Sequence, residues 1–230
     1  MSAYFVTGTD TDAGKTFSCC GLLARAMKEG YSTAALKPVA AGVIETIDGH
    51  CNEDVVQLEK HCSIEISRQE INPVCFKEPI APHIGAAKKG IDLRVSTIAA
   101  SCRNVLSRQA DLTLVEGAGG WKVPMNKNET LADLAILLEL PVILVVGMRL
   151  GCLNHALLTI ESIDASGLEL AGWIANQVDP KMAAFDENLG TLEKLIKAPL
   201  LGSLPWLLGE DPVSEAAECL NIEYLLQAEN

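Results

Sequence analysis

The chain predicts an α/β fold, a single domain over residues 1–230 with a mostly parallel sheet and helices on both faces. Continuously apolar runs such as Pro141–Val146 read as strands buried on both sides. They alternate with longer stretches of helical periodicity, the pattern of crossover units. A glycine-rich loop, Gly8–Thr16, joins the first such strand to the first such helix, and no internal repeat or low-complexity linker divides the chain.

Ala3–Val6 is the first strand, and Thr16–Lys28 is helical, with Leu22, Leu23, Ala26 and Met27 on one face. Ser32–Val39 gives a second strand, ending in the small-residue turn Lys37–Gly42. A polar loop through Gly49–Asn52 precedes a helix containing Asp54, Val55, Leu58 and Cys62. Glu70–Gly90 carries Pro73, Pro79 and Pro82 and reads as a connection with a short helix near His83–Lys88. Arg94–Arg108 is helical, and Asp111–Val115 is a buried strand ending in Glu116–Gly120. Then come a helix over Thr130–Leu138, the strand Pro141–Val146 and a helix from Gly151 to Ala165. The strand Leu170–Asn176, the helix Phe185–Ile196, the strand Pro199–Leu204 and a final helix from Val213 complete the series.

The loop Gly8-Thr9-Asp10-Thr11-Asp12-Ala13-Gly14-Lys15-Thr16 reads as a phosphate-binding loop by its position between strand and helix. The first N–H groups of a helix lack intrahelical partners, and the helix dipole adds positive charge there, so a polyphosphate is well held. Gly14 permits close backbone approach, Lys15 reaches the terminal phosphates, and the Thr16 hydroxyl completes a magnesium shell. Thr9 stands where the common motif has its first glycine, so this P-loop NTPase-like loop is one residue longer than usual.

Composition narrows the partners. The formal charge is −12, from 30 acidic and 18 basic side chains, which disfavours a broad nucleic-acid surface. No apolar run reaches membrane-spanning length and the N-terminus enters a strand directly, so a cytoplasmic protein without membrane attachment is expected. The eight cysteines are scattered without a Cys-x-x-Cys pair, and the four histidines lack metal-ligand spacing.

In a parallel sheet the ligand lies beyond the C-terminal strand ends, which selects the residues just after each strand. They are the phosphate loop, Lys37, Glu116–Gly120, the Gly147–Asn154 loop, Asn176 with Gln177, and Pro205, Trp206 and Leu207. Glu116 follows a buried strand beside the loop, which suits a metal-binding carboxylate. Lys37, held extended by Pro38, is placed to direct a second cation at a transferred phosphate.

These residues resemble the dethiobiotin synthetases of biotin biosynthesis over nearly the whole chain. The shared motifs are the long loop Gly-Thr-Asp-Thr-x-x-Gly-Lys-Thr, Lys37-Pro38-Val39, Pro82-His83, Val115–Trp121, Pro141–Gly147, Gly151–Ala156, Gly172–Asn176 and Pro199–Gly202. The resemblance implies a homodimeric ligase that forms dethiobiotin from diaminopelargonic acid, carbon dioxide and ATP, with Mg2+. It implies catalytic roles for Lys37, Lys15 and Thr11, and metal ligation by Thr16, Asp54 and Glu116. ATP would contact Asp12, Ala13, Gly14, Lys15, Thr16, Phe17, Gly117, Ala118 and Gly119, with Asn176, Gln177, Pro205, Trp206 and Leu207 around the adenine. Substrate would meet Thr11 and Lys37, and its carboxylate would meet Gly151, Cys152, Leu153 and Asn154 of the partner subunit.

The chain departs from the family pattern at three positions. Ala41 stands where serine is common, Asp12 where glutamate is usual, and Gln177 where aspartate is usual. A paralogue of altered substrate preference is thus an alternative. A ParA/MinD-like switch ATPase is another, but it would carry a second loop lysine where Asp10 stands. A synthetase fed by a glutaminase domain would need more chain than is present.

Overall fold

The computed structural model describes residues 1–46 and 49–226. Among these, a six-stranded sheet forms the centre. Its strands are β1 (Ser2–Gly8), β2 (Thr33–Leu36), β7 (Leu112–Gly120), β8 (Val142–Met148), β9 (Leu170–Gln177) and β10 (Leu200–Leu204), in the order β10-β9-β8-β1-β7-β2. Every pairing is parallel. β1 lies between β7 and β8, so the loop that follows it opens at the middle of the sheet edge.

Side-chain alternation along β1 explains the two covered faces. Tyr4 and Val6 join a core with Leu22 and Leu23 of α1 (Lys15–Lys28). Phe5 points the other way, into a core with α5 (Val95–Leu106) and α6 (Leu131–Leu138). Beyond it, Trp173 of β9 packs with α7 (Cys152–Asp164) and α8 (Phe185–Leu195). The predicted α/β architecture is therefore the observed one.

Three local readings are corrected. The second strand does not continue to Val39. It stops at Leu36, and the chain passes into β3 (Val39–Ala41), which pairs with β6 (Val74–Phe76) in a separate small sheet. Pro38 has no N–H to donate, and Lys37 N instead donates to Ile71 O at 2.8 Å.

The Pro-rich segment has the expected short helix near His83–Lys88, but the rest of it carries more structure than a connection. α3 (Arg68–Ile71) begins with a Ser67/Glu70 capping box, β6 follows, and α4 (Pro82–Lys88) starts with proline at its first position. Third, the loop expected at Gly49–Asn52 includes β5 (Gly49–Cys51), paired antiparallel with β4 (Ile44–Thr46). Ile47 and Asp48 lie outside the described residues.

Elsewhere the elements end a few residues differently. α2 (Glu53–Glu59) ends before Cys62, and the last helix is two pieces, α9 (Pro212–Glu218) and α10 (Glu223–Leu226). The end of the expected final helix, residues 227–230, lies outside the described residues. β7 continues past Val115 through Glu116 to Gly120, and a register shift between Val6 and Gly8 pairs Gly8 with Gly120. Among the described residues no helix is long and apolar enough to cross a membrane, and all eight cysteines are free thiols.

Candidate active site

The loop after β1 is held by its neighbours. Thr9 N donates to Val145 O at 3.0 Å, and Gly147 N donates to Thr9 Oγ1 at 3.2 Å. Asn176 Nδ2, at the end of β9, donates to Ala13 O at 3.0 Å. Gly14 has φ 85°, and a Cβ there would lie 1.9 Å from Asn176 Nδ2, so both conformation and close approach require glycine. α1 begins at Lys15 with no side-chain cap and no acid in its first turn. Its N-terminal N–H groups and dipole are left for an external anion.

A cavity of about 610 Å3 opens above this helix end. Of the candidate residues, Thr11, Asp12, Gly14, Lys15, Thr16, Phe17, Lys37, Asp54, Glu116, Ala118 and Gly119 line it. At its floor is a charge cluster in which Lys37 and Glu116 are buried and Asp54 is partly exposed. Lys37 Nζ lies 2.5 Å from Glu116 Oε1 and 2.8 Å from Asp54 Oδ2. Thr16 Oγ1 donates to the same Glu116 Oε1 at 2.7 Å, while Lys15 Nζ donates back to Asp10 O at 3.2 Å. Lys37 and Glu116 are 4% and 1% exposed, which commits both charges to partners inside the protein.

Electrostatics separate the two lysines. Burial depresses Lys37, but the carboxylates of Glu116 and Asp54 outweigh it and hold the ammonium above its ordinary range. Lys15 is lowered, chiefly by burial, with Glu116 opposing and Lys37 reinforcing the shift. Burial would raise Asp54, yet Lys37 outweighs it and keeps the carboxyl below its usual value. The nearby Cys19 and Cys20 thiols are both pushed up by burial, Cys20 to about 12, so neither supplies a nucleophile.

The donor set suits a hard divalent cation. Thr16, Asp54 and Glu116 present oxygen atoms only, and Glu116 Oε2 is buried with no hydrogen-bond partner among the described residues. Gln177 Oε1 accepts from Trp206 N at 3.2 Å, joining the end of β9 to the Pro205–Leu207 segment. Trp206 is half exposed there.

Gly151, Cys152, Leu153 and Asn154 do not line this cavity. They open α7, where Gly151 has φ 98° and the helix again lacks a side-chain cap and first-turn acids. Gly117 is behind the cavity wall, its O 3.5 Å from Lys37 Nζ.

Sequence reasoning missed part of the wall. Ala40, Asn52, Pro79, Ile80, Ala81 and Val123 also line the cavity, beside Ala41 and Pro82. The proline-rich composition of residues 79–82 was the available signal for that side. Asn52 gave none. Its Nδ2 donates to Ala41 O at 3.2 Å and Gly42 O at 2.9 Å, tying the β3 turn to the start of α2 and so to Asp54.

A parallel sheet with a long phosphate loop at its centre, facing a lysine–carboxylate cluster, defines a nucleotide-binding protein of the P-loop NTPase class. A family model described as an AAA domain matches residues 2–213. Solved structures of the same fold include MinD of Aquifex aeolicus, at TM-score 0.52 and 14% identity, covering 99% of this chain and 93% of that one. FtsY of Thermotoga maritima aligns at TM-score 0.50 and 16% identity, covering 99% of this chain and 69% of that one.

Sequence relatives narrow the class. The ATP-dependent dethiobiotin synthetase BioD of Pseudomonas aeruginosa (strain UCBPP-PA14) is 51% identical over 217 residues, 94% of this chain and 95% of its own. BioD of Cellvibrio japonicus (strain Ueda107) is 53% identical over 205 residues, 89% and 90% of the two chains. BioD 1 of Escherichia coli O157:H7 is 47% identical over 213 residues, 93% and 94%. The chain belongs to the ATP-dependent dethiobiotin synthetase family.

Proposed function

We propose that the chain closes the ureido ring of dethiobiotin from diaminopelargonic acid, carbon dioxide and ATP, releasing ADP and phosphate. The observation that carries this is the joining of two lysines and two carboxylates in one cavity above an uncapped helix N-terminus. Such a site neutralises charge and positions anions without a covalent nucleophile.

One substrate amine attacks carbon dioxide, loses a proton and becomes a carbamate. A carbamate oxygen then attacks the γ-phosphorus of ATP, the bond to the bridging oxygen breaks, and ADP leaves. The second amine attacks the carbonyl of this carbamic–phosphoric anhydride, expels phosphate and loses its proton, which closes the ring. Every stage carries negative charge on oxygen. Lys15 and Lys37 stabilise it, Thr11 orients the amines, and the N–H groups from Asp12 to Phe17 hold the phosphates.

Thr16, Asp54 and Glu116 would hold Mg2+, which would supply charge neutralisation of the ATP phosphates. Asn176, Gln177, Pro205, Trp206 and Leu207 surround the adenine. The Gly151–Asn154 helix start binds the substrate carboxylate of a partner subunit in a homodimer, which its missing cap and free dipole favour.

A test uses isotopically labelled bicarbonate with ATP and the diamine, with mass detection of the product. The expected result is one labelled carbon in the ureido carbonyl of dethiobiotin. An unlabelled product, or none, contradicts the reading.

A further inference from the structure

The charge cluster contains a cation already. Lys37 Nζ is within 2.5 Å of Glu116 Oε1 and 2.8 Å of Asp54 Oδ2, and Thr16 Oγ1 is 2.7 Å from that same Glu116 oxygen. The three side chains whose oxygens suit a divalent cation are therefore those gathered around or beside one ammonium. We infer that Lys37 and the divalent cation compete for the Glu116 and Asp54 carboxylates, so that arrival of the metal with the nucleotide transfers the ammonium to the reacting phosphoryl group. This rests on the proposed reading of Thr16, Asp54 and Glu116 as metal ligands.

Charge balance supports an exchange. Lys15, Lys37, Asp54 and Glu116 interact with one another, and as two ammoniums and two carboxylates they are neutral together. A bare divalent ion added beside Lys37 would leave excess positive charge against the buried Lys37–Glu116 pair, whereas metal bound to a polyphosphate brings its own anion. Lys37 is 4% exposed, so its ammonium depends on partners within the site. The cavity that Lys37 lines also reaches Gly14, Lys15 and Thr16 at the helix end, so a released ammonium shares one space with the expected phosphate position. The lysine thus holds the carboxylates in place before binding and is released when its charge is needed.

The test is a Mn2+ titration of the nucleotide-free full chain, with free Mn2+ followed by electron paramagnetic resonance. Lys37→Met removes the charge at similar length. It is expected to bind Mn2+ alone roughly ten-fold or more tightly than the original protein, within the usual range of site coupling. The gain is expected to vanish in Lys37→Met combined with Glu116→Gln. Mn2+ binding by Lys37→Met that equals or falls below the original overturns the exchange, even when Glu116→Gln weakens binding of Mn2+ with ATP. If neither Asp54→Asn nor Glu116→Gln weakens that binding, the metal-ligand reading fails as well, and the inference with it.

Should Lys37→Met not fold, the unmodified protein decides. Reductive methylation of Lys37, followed by peptide mass spectrometry against the exposed Lys127, is expected to quicken when Mg2+ is added to the ADP-bound protein, in which no γ-phosphoryl group receives the released ammonium. A rate for Lys37 unchanged by Mg2+ overturns the inference.

Discussion

Lys37 concentrates more of the proposed chemistry than any other residue. Its ammonium is buried against Glu116 and Asp54, and no other lysine contacts both carboxylates among the described residues. Lys37→Ala is expected to lower ring closure about 10²–10³-fold, the scale of losing one preorganised charge-stabilising donor. ATP affinity, measured by calorimetry, should change little because the loop and Lys15 remain; an equal loss of nucleotide binding would contradict the assigned role. The same substitution strands Glu116 in the interior, so thermal stability should fall too. Lys15 makes a different prediction. Its ammonium is lowered from 10.5, so nucleotide-free protein loses that charge, and with it ATP affinity, as pH rises through a value below 10.5. Lys15→Arg, whose charge persists, should move this loss upward. Around Asp54 and Lys37 the signs are opposite. The depressed Asp54 contributes stability above 3.8 that is lost as pH falls through its lowered value. The raised Lys37 contributes stability fully present below 10.5 and lost above it, so the pair stays intact between these limits.

At the scale of elements, α1 links the phosphate loop to the core. Cys19, Cys20, Leu22, Leu23 and Ala26 on it are all at most 1% exposed. Leu23→Ala should cost about 2–5 kcal/mol in denaturant unfolding, as core truncations do, without removing any group from the cavity. Gly14→Ala should spare the core but disturb the loop. Its left-handed backbone costs a side chain about 1–2 kcal/mol, and the Asn176 amide must also yield, so ATP affinity should drop sharply. The large sheet was legible because its strands are short, continuously apolar runs and its helices repeat buried residues at helical spacing. β3, β4, β5 and β6 were not, since three-residue strands show no period and their pairing is decided by contacts distant in sequence. The place of Glu116 at the cavity was legible although β7 runs through it to Gly120. The glycines after it signalled close approach without revealing that the chain stays extended.

For the whole molecule, the family is legible from motifs in order, and relatives near 50% identity over 94% of the chain agree with it. Proximity within the site was only partly legible. Asp54 lies 17 positions beyond Lys37 in the numbering, and its approach depends on Asn52 fastening α2 to the β3 turn, an arrangement no local pattern encodes. The proposed homodimer has its own test. Lys37→Ala and Asn154→Ala proteins, each impaired alone, should regain roughly a quarter of the normal sites when refolded together, because mixed dimers then contain one intact shared site. No recovery would place Asn154 outside the partner's site. The most direct measurement of the central claim is phosphate release from ATP, with Mg2+ and bicarbonate, in the presence and absence of diaminopelargonic acid. Release that requires the diamine and matches dethiobiotin formed is the predicted result. Release indifferent to the diamine, or ATP turnover without dethiobiotin, would contradict it.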